Sequence, residues 1–136
     1  MMLVSTYVAP SPIEGVGIFA AVNIPAGSEI WRFSAAFDRT FTADELEELD
    51  EVQREYVARY GYTHMEDRSL TVVETDNGRF MNHSDHPNTD FTRPDVGYAI
   101  VDIPAGTEIV CDYGDFEEEF AMLPGRKFVH TESARL

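Results

Sequence analysis

Tyr113, in Asp112-Tyr113-Gly114, and the run Asn82-His83-Ser84-Asp85-His86-Pro87-Asn88 hold the side chains of this sequence best suited to chemistry. The run offers His83, Asp85 and His86 within four residues, a metal-ligating set by residue type. It also holds two Asn, one Ser, one Asp and one Pro, which is turn chemistry. Pro87 and the turn residues oppose a helix that would align the two histidines. His64 and His130 are too distant to complete a zinc spacing, and Cys111 is the only cysteine. A metal centre is therefore not expected, and neither is an internal disulfide. On composition alone the run is a structural loop. Tyr113 alone is a core or rim tyrosine, and Gly15-Val16-Gly17 near the start is a turn.

The elements that must position these residues repeat. Ala20-Ala21-Val22-Asn23-Ile24-Pro25-Ala26-Gly27-Ser28-Glu29-Ile30 returns as Ala99-Ile100-Val101-Asp102-Ile103-Pro104-Ala105-Gly106-Thr107-Glu108-Ile109. Both copies are β-branched runs around a Pro-x-Gly turn, which predicts strand, turn, strand. Two copies at this distance do not make a solenoid. They imply two similar turn modules in one small β fold.

Between the copies the sequence predicts one helix. Thr42 followed by Glu45 is a capping-box pattern. Leu46, Leu49, Val52 or Gln53, Tyr56, Val57 and Tyr60 recur at helical spacing, and Gly61 is a stop. Acids crowd its first turns, where the helix dipole favours them. Residues 70–74 read as a strand, Asp76-Asn77-Gly78 and residues 92–95 as turns, and residues 98–101 as a further strand. A short helix is expected after Gly114, with Phe116 and Phe120 on one face, and then a frayed polar tail.

Taken in order, Gly15-Val16-Gly17-Ile18-Phe19-Ala20, Arg79-Phe80-Met81 leading into Asn82-His83-Ser84, and Glu108-Ile109-Val110-Cys111-Asp112-Tyr113-Gly114 resemble the motifs of the SET domain. That family comprises S-adenosylmethionine-dependent protein lysine methyltransferases. The resemblance spans residues 11–116, and the repeated turn modules agree with it. It implies a mostly β fold, the β-clip of short strands, with one inserted helix and a C-terminal pseudoknot. It also implies a single domain over 1–136, with a core at about 11–116 and a tail at 117–136.

The resemblance further implies roles. Gly15, Val16, Gly17, Arg79, Phe80, Asn82 and His83 would bind S-adenosylmethionine. An Asn side chain offers two donors and an acceptor, and irregular backbone can read an adenine edge. Tyr113 would be the catalytic residue. Methyl transfer from a sulfonium to an amine is an in-line displacement, which needs alignment and oxygen dipoles around the positive centre. The amine must arrive neutral, which a desolvating aromatic channel favours. Phe33, Tyr98, Tyr113 and Phe116 are candidates for its walls. The implied partner is a basic, lysine-containing protein.

Two features depart from the family pattern. Where many members carry E-Y-x-G-E, this chain has Trp31-Arg32-Phe33-Ser34-Ala35-Ala36. The cysteine-rich zinc cluster that often follows Tyr113 is missing, which leaves Phe116, Phe120, the tail around Phe128 or a partner to close the site. These departures keep a second reading open, a non-catalytic SET-like module that binds a basic tail or the cofactor without turnover.

The net charge of −15 over 136 residues fits either solubility or attraction of a basic partner. Nucleic acid is not expected as a direct partner, because ten cations are scattered among twenty-five acids. No apolar run approaches the ~20 residues of a membrane span, and the first residues do not read as a signal peptide. An intracellular, cytoplasmic location is the expectation. The sequence does not set the oligomeric state.

Overall fold

The computed structural model describes residues 1–117. The strands are β1 (Thr6–Pro10), β2 (Val16–Ala20), β3 (Glu29–Arg32), β4 (Arg39–Phe41), β5 (Tyr62–Thr63), β6 (Thr71–Val73), β7 (Asn82–His83), β8 (Thr89–Asp90), β9 (Val96–Ala99) and β10 (Glu108–Cys111). They form three small sheets, in the orders β1-β2-β10-β7, β3-β9-β8 and β4-β6-β5. This is the mostly β architecture expected from the repeated modules. The core is built on Ile18, Ile30, Ile103 and Ile109, all at most 1% exposed, with Trp31, Phe91 and Cys111 around them.

The two turn modules clasp each other. Ile24 and Ile103 exchange both backbone hydrogen bonds at 2.8 Å. Asn23 Oδ1 accepts from the Ala105 N–H at 2.9 Å, and Asp102 Oδ1 accepts from the Ala26 N–H at 2.8 Å. Gly27 donates to the Ala99 carbonyl at 2.7 Å, and Gly106 donates to the Ala20 carbonyl at 2.8 Å. Both glycines sit at φ near +90° (86° and 89°), which only glycine adopts readily. The Asn or Asp at the fourth position of each repeat thus caps the other copy's turn. A local two-fold relates the modules.

The predicted single helix is two. α1 (Ala43–Glu47) carries the Thr42–Glu45 capping box. The chain then breaks, and α2 (Glu51–Tyr60) starts from a second capping box between Asp50 and Gln53. Asp50 accepts the Gln53 N–H at 2.8 Å, and Gln53 Oε1 accepts the Asp50 N–H at 3.0 Å. Arg54 bridges the break by donating to the carbonyls of Leu49 and Glu47. Side-chain caps satisfy the end groups that a continuous helix would have paired internally. Neither helix has a buried residue, and Val52 and Tyr56 are exposed, so the apolar spacing did not mark a core-facing stripe. Gly61 ends α2 in extended geometry, where a Cβ would meet the Val57 carbonyl at 2.6 Å.

Smaller details are also defined. The strand placed at 98–101 runs Val96–Ala99, and Ile100 and Val101 are half-exposed in the turn module. Asp76 caps a 3-10 turn, Asn77–Phe80. After Asp112 the chain forms another 3-10 turn, Tyr113–Asp115, and the short helix expected beyond Gly114 falls largely outside the described residues. Phe120 and Phe128 lie outside the described residues.

Candidate active site

The central strand β10 lies between β2, which is antiparallel to it, and β7, which is parallel. Cys111 aligns with His83, and Val110 with Asn82. This brings the Asn82-His83 run against Tyr113. His83 is 1% exposed. Its Nδ1 accepts from the Tyr113 backbone N–H at 3.0 Å, and its Nε2 lies 2.9 Å from Asp85 Oδ1. An N–H pointing at Nδ1 requires a bare nitrogen there, so the proton of the neutral ring sits on Nε2 and is donated to Asp85. The Tyr113 hydroxyl donates to the Met81 carbonyl at 2.7 Å. The tyrosine is thus fixed at both ends by the segment that carries the other motif.

Asn82 works differently from a side chain left to read a ligand. Its Nδ2 donates to the carbonyls of Val16 at 3.1 Å and Glu14 at 3.3 Å, and to Glu108 Oε2 at 3.0 Å. Glu108 also accepts from the Ser11 hydroxyl, 2.9 Å from each carboxylate oxygen. A Cβ on Gly17 would overlap that carboxylate and come within 3.1 Å of Asn82 Nδ2. Gly17 therefore leaves the room that the hydrogen-bonded Glu108 carboxylate fills. Gly15, at φ +48° with nothing within 4 Å of a notional Cβ, is favoured by backbone conformation alone. Val16 between them is exposed. Glu108 ties the first motif to the third, a role not inferred from its place in the sequence pattern.

Tyr113 opens into a cleft of about 110 Å³. Trp31, Tyr60, Tyr62, Met65, Phe91 and Phe116 supply aromatic and thioether walls, and Glu74, Arg59, Arg79 and Glu117 supply charge. The rings of Tyr62, Phe91 and Tyr113 stand 5.9–6.0 Å from that of Phe116. The Tyr62 hydroxyl is buried and has no hydrogen-bond partner among the described residues. Burial, then the carboxylates of Glu74 and Asp38, push it far above the ordinary phenol range, so it stays protonated and can donate. Arg79 donates from its terminal nitrogen to the Asp76 carbonyl at 2.8 Å, while its Nε is buried without a partner among the described residues.

Glu74 is held from the opposite side. It accepts from the Trp31 indole N–H and from the Met1 ammonium, the latter at 3.1 Å. That ammonium also donates to Asp38 Oδ2 at 3.3 Å and to the Arg32 carbonyl at 3.1 Å. Burial still lifts the Glu74 carboxyl above its ordinary range, against the opposing pull of Met1 and Trp31.

Of the residues singled out by sequence, the cleft collects Arg79, Tyr113 and Phe116. Asn82 and His83 stand behind it and hold the first and third motifs. Phe80 packs on Tyr60 at 5.5 Å and under the Arg79 guanidinium. Phe33 lies edge-on to His64 at 4.8 Å, and Tyr98 lies under Arg93, so neither is among the residues lining the cleft. Trp31, Tyr62 and Phe91 line it instead. The signal for Trp31 was present, as the only tryptophan of the chain two residues from Phe33. No group of three or more His, Cys, Asp or Glu among the described residues is arranged to hold a metal ion.

The family model of the SET domain matches residues 15–114. The chain belongs to the SET domain family. This SET domain is 29% identical over 130 residues to human histone-lysine N-methyltransferase 2D, covering 88% of this chain and 2% of that protein. It is 30% identical over 135 residues to histone-lysine N-methyltransferase set5 of Schizosaccharomyces pombe, covering 82% of this chain and 42% of that protein. The chain thus spans less than half the length of either relative. Among solved structures it resembles ctPRC2 in an autoinhibited conformation bound to S-adenosylmethionine, with a TM-score of 0.61 at 25% identity, covering 82% of this chain and 15% of that one. The SET fold and the methyltransferase family are therefore shared with these proteins.

Proposed function

We infer that this SET domain transfers a methyl group from S-adenosylmethionine to a lysine side chain of a protein. The observation that carries the reading is Tyr113, fixed through His83 and Met81 at the wall of an aromatic cleft. The names of the relatives, histone-lysine methyltransferases, point the same way.

The residues present fit the cofactor. A buried guanidinium N–H without an acceptor is costly, and a carboxylate is its natural mate. Arg79 would hold the carboxylate at the amino-acid end of S-adenosylmethionine. When bound, the cofactor supplies an electrophilic methyl on a sulfonium sulfur. Gly15, Val16 and Gly17 bring backbone near, kept in place by Asn82.

Within the cleft, the Tyr113 hydroxyl donates to Met81 and can still accept, because a hydroxyl has two lone pairs. Those lone pairs face positive charge better than water does once the site is closed. The walls of Trp31, Phe91 and Phe116 desolvate an incoming alkylammonium and so favour its neutral form. The Tyr62 hydroxyl oxygen can accept an N–H of the amine and so leave its lone pair free to face the methyl. The proton lost from the ammonium leaves to solvent before transfer.

A labelled-methyl transfer assay on basic proteins tests the reading. Label on lysine, lost with Tyr113→Phe, supports it. Cofactor binding without transfer to any substrate would favour a binding module.

A further inference from the structure

Phe33, Met65 and Asp95 are tied together around His64, a histidine that the proposed chemistry does not use. His64 follows β5 and opens the connection from β5 to β6, residues 64–70. Its N–H donates to the Leu70 carbonyl at 3.0 Å and closes that connection. The ring acts as a cap inside it. Nδ1 accepts from the backbone N–H of Glu66 at 3.1 Å and from that of Asp67 at 3.0 Å. Two donors aimed at one ring nitrogen require that nitrogen to be bare. Phe33 packs edge-on against the same ring.

The turn so formed carries Met65. This side chain packs against the core and lines the cleft with Tyr62, Phe91 and Tyr113. Its sulfur accepts from the Asp95 N–H at 3.3 Å, and the Asp95 carbonyl accepts from the Phe33 N–H at 3.0 Å. Asp95 sits at φ +62°, in the left-handed region, a conformation kept only where its surroundings hold it. Charged groups around the ring are Glu66 and Asp67 on its own turn, and Asp95 on the connection from β8 to β9. Arg68, in the same connection as His64, donates to the Phe116 carbonyl at 3.5 Å, and Glu117 accepts from the Thr63 N–H at 2.9 Å. A hydrogen bond to Asp95 lifts the Glu66 carboxyl above its ordinary range, with His64 pulling the other way.

An imidazolium has no acceptor. A proton taken from solvent at Nδ1 therefore turns both N–H contacts from bonds into repulsions. The carboxylates of Glu66 and Asp67 then offer the charged ring a different partner, and the turn has a second arrangement to adopt. Resting on the lysine-methylation reading above, we propose that neutral His64 is a positioning residue, which holds Met65 in the cleft wall through the 64–67 turn and releases that wall when Nδ1 is protonated in mild acid. Phe33 then serves the cleft from behind, by packing on the ring that holds the wall.

The test follows the Met65 methyl group by NMR in the full chain made with methyl-labelled methionine. The titration runs from about pH 8 to 5, the window in which imidazoles change charge. Met65→Leu identifies the signal among the five methionines. The signal should shift with the same midpoint as the His64 ring. It should stay still in His64→Asn, whose Oδ1 can cap the same two N–H groups without titrating. Methyl transfer to a basic lysine peptide should be nearly equal in the two chains at the alkaline end. Toward acid it should fall roughly tenfold further in the native chain, the equivalent of one lost hydrogen bond. Glu66→Gln should keep the Met65 response; its loss there would assign the response to the Glu66–Asp95 pair and overturn the proposal. A Met65 signal that does not follow His64 in the native chain also overturns it, as does a ring found with its proton on Nδ1 at the alkaline end. Both are read without any altered residue at position 64. Equal acid falls in the native and His64→Asn rates reject it as well. A Met65 signal that follows His64 in a chain that transfers no methyl group keeps the positioning role and rejects the functional reading.

Discussion

The backbone N–H of Tyr113 donates to Nδ1 of His83 across 3.0 Å. These two residues are thirty apart in sequence and belong to different motifs. Their bond makes the position of the tyrosine a property of the His83 ring, which Asp85 orients in turn.

Tyr113→Phe should lower the maximal rate roughly 10²-fold or more, with cofactor affinity nearly unchanged, because the hydroxyl acts on the transition state. The lost bond to the Met81 carbonyl should cost about 1 kcal/mol of stability. Rate and calorimetric affinity measured on the same preparation decide this. Near-normal turnover would make Tyr113 structural.

Asn82→Ala removes the side-chain donor shared by the carbonyls of Glu14 and Val16 and the carboxylate of Glu108, which keeps the Ser11 hydroxyl. A loss of about 1–3 kcal/mol in denaturant unfolding is expected, together with weaker cofactor binding through a loosened first motif. Asn82→Asp should be worse than Ala, since it sets a second carboxylate beside Glu108. Equal stability of the two variants would show that the Glu108 side chain moves away.

Gly17→Ala should fail where Gly15→Ala is tolerated. At Gly17 the added methyl overlaps Glu108, whereas at Gly15 it enters open space and costs only the backbone strain of φ +48°, about 1–2 kcal/mol. Thermal unfolding of the pair checks the order. The reverse order would contradict the packing of Glu108 on Gly17.

Glu74 gives a pH dependence of defined sign. Burial raises its pKa above the ordinary 4.5, so the folded chain holds the proton more tightly than the unfolded one. Its favourable contribution is complete below the unfolded value and is lost as pH rises through the folded value. Relative to Glu74→Gln, the native chain should therefore be most stable in mild acid and lose ground toward neutrality. Unfolding titrations across that window provide the comparison. A difference that grows with pH would mean that the Met1 ammonium outweighs burial.

The motifs and the repeat were legible because each is a short run of fixed residue types. The Thr42 capping box was legible for the same reason, being complete within four residues. The second helix start was hidden, because Asp50 sits in a row of acids and reads as one more solvated charge. The cleft walls were hidden by strand irregularity. A register shift between Glu29 and Trp31 turns both Ile30 and Trp31 inward, so alternation no longer says which side Phe33 faces. Tyr62 and Phe91 reach the cleft from separate sheets, through pairings of β5 with β6 and β8 with β9 that no local pattern encodes.

The mutual clasp of the two turn modules also governs how the chain can be made. Each module's turn is closed by a side chain 76 or 82 residues away. During synthesis the first module must wait, with its polar groups in water, until the second has emerged. Ordering therefore comes late and all at once, after a costly long-range closure. A ribosome that stalls before Ala99 would release a chain with neither module closed, a natural substrate for quality-control proteolysis.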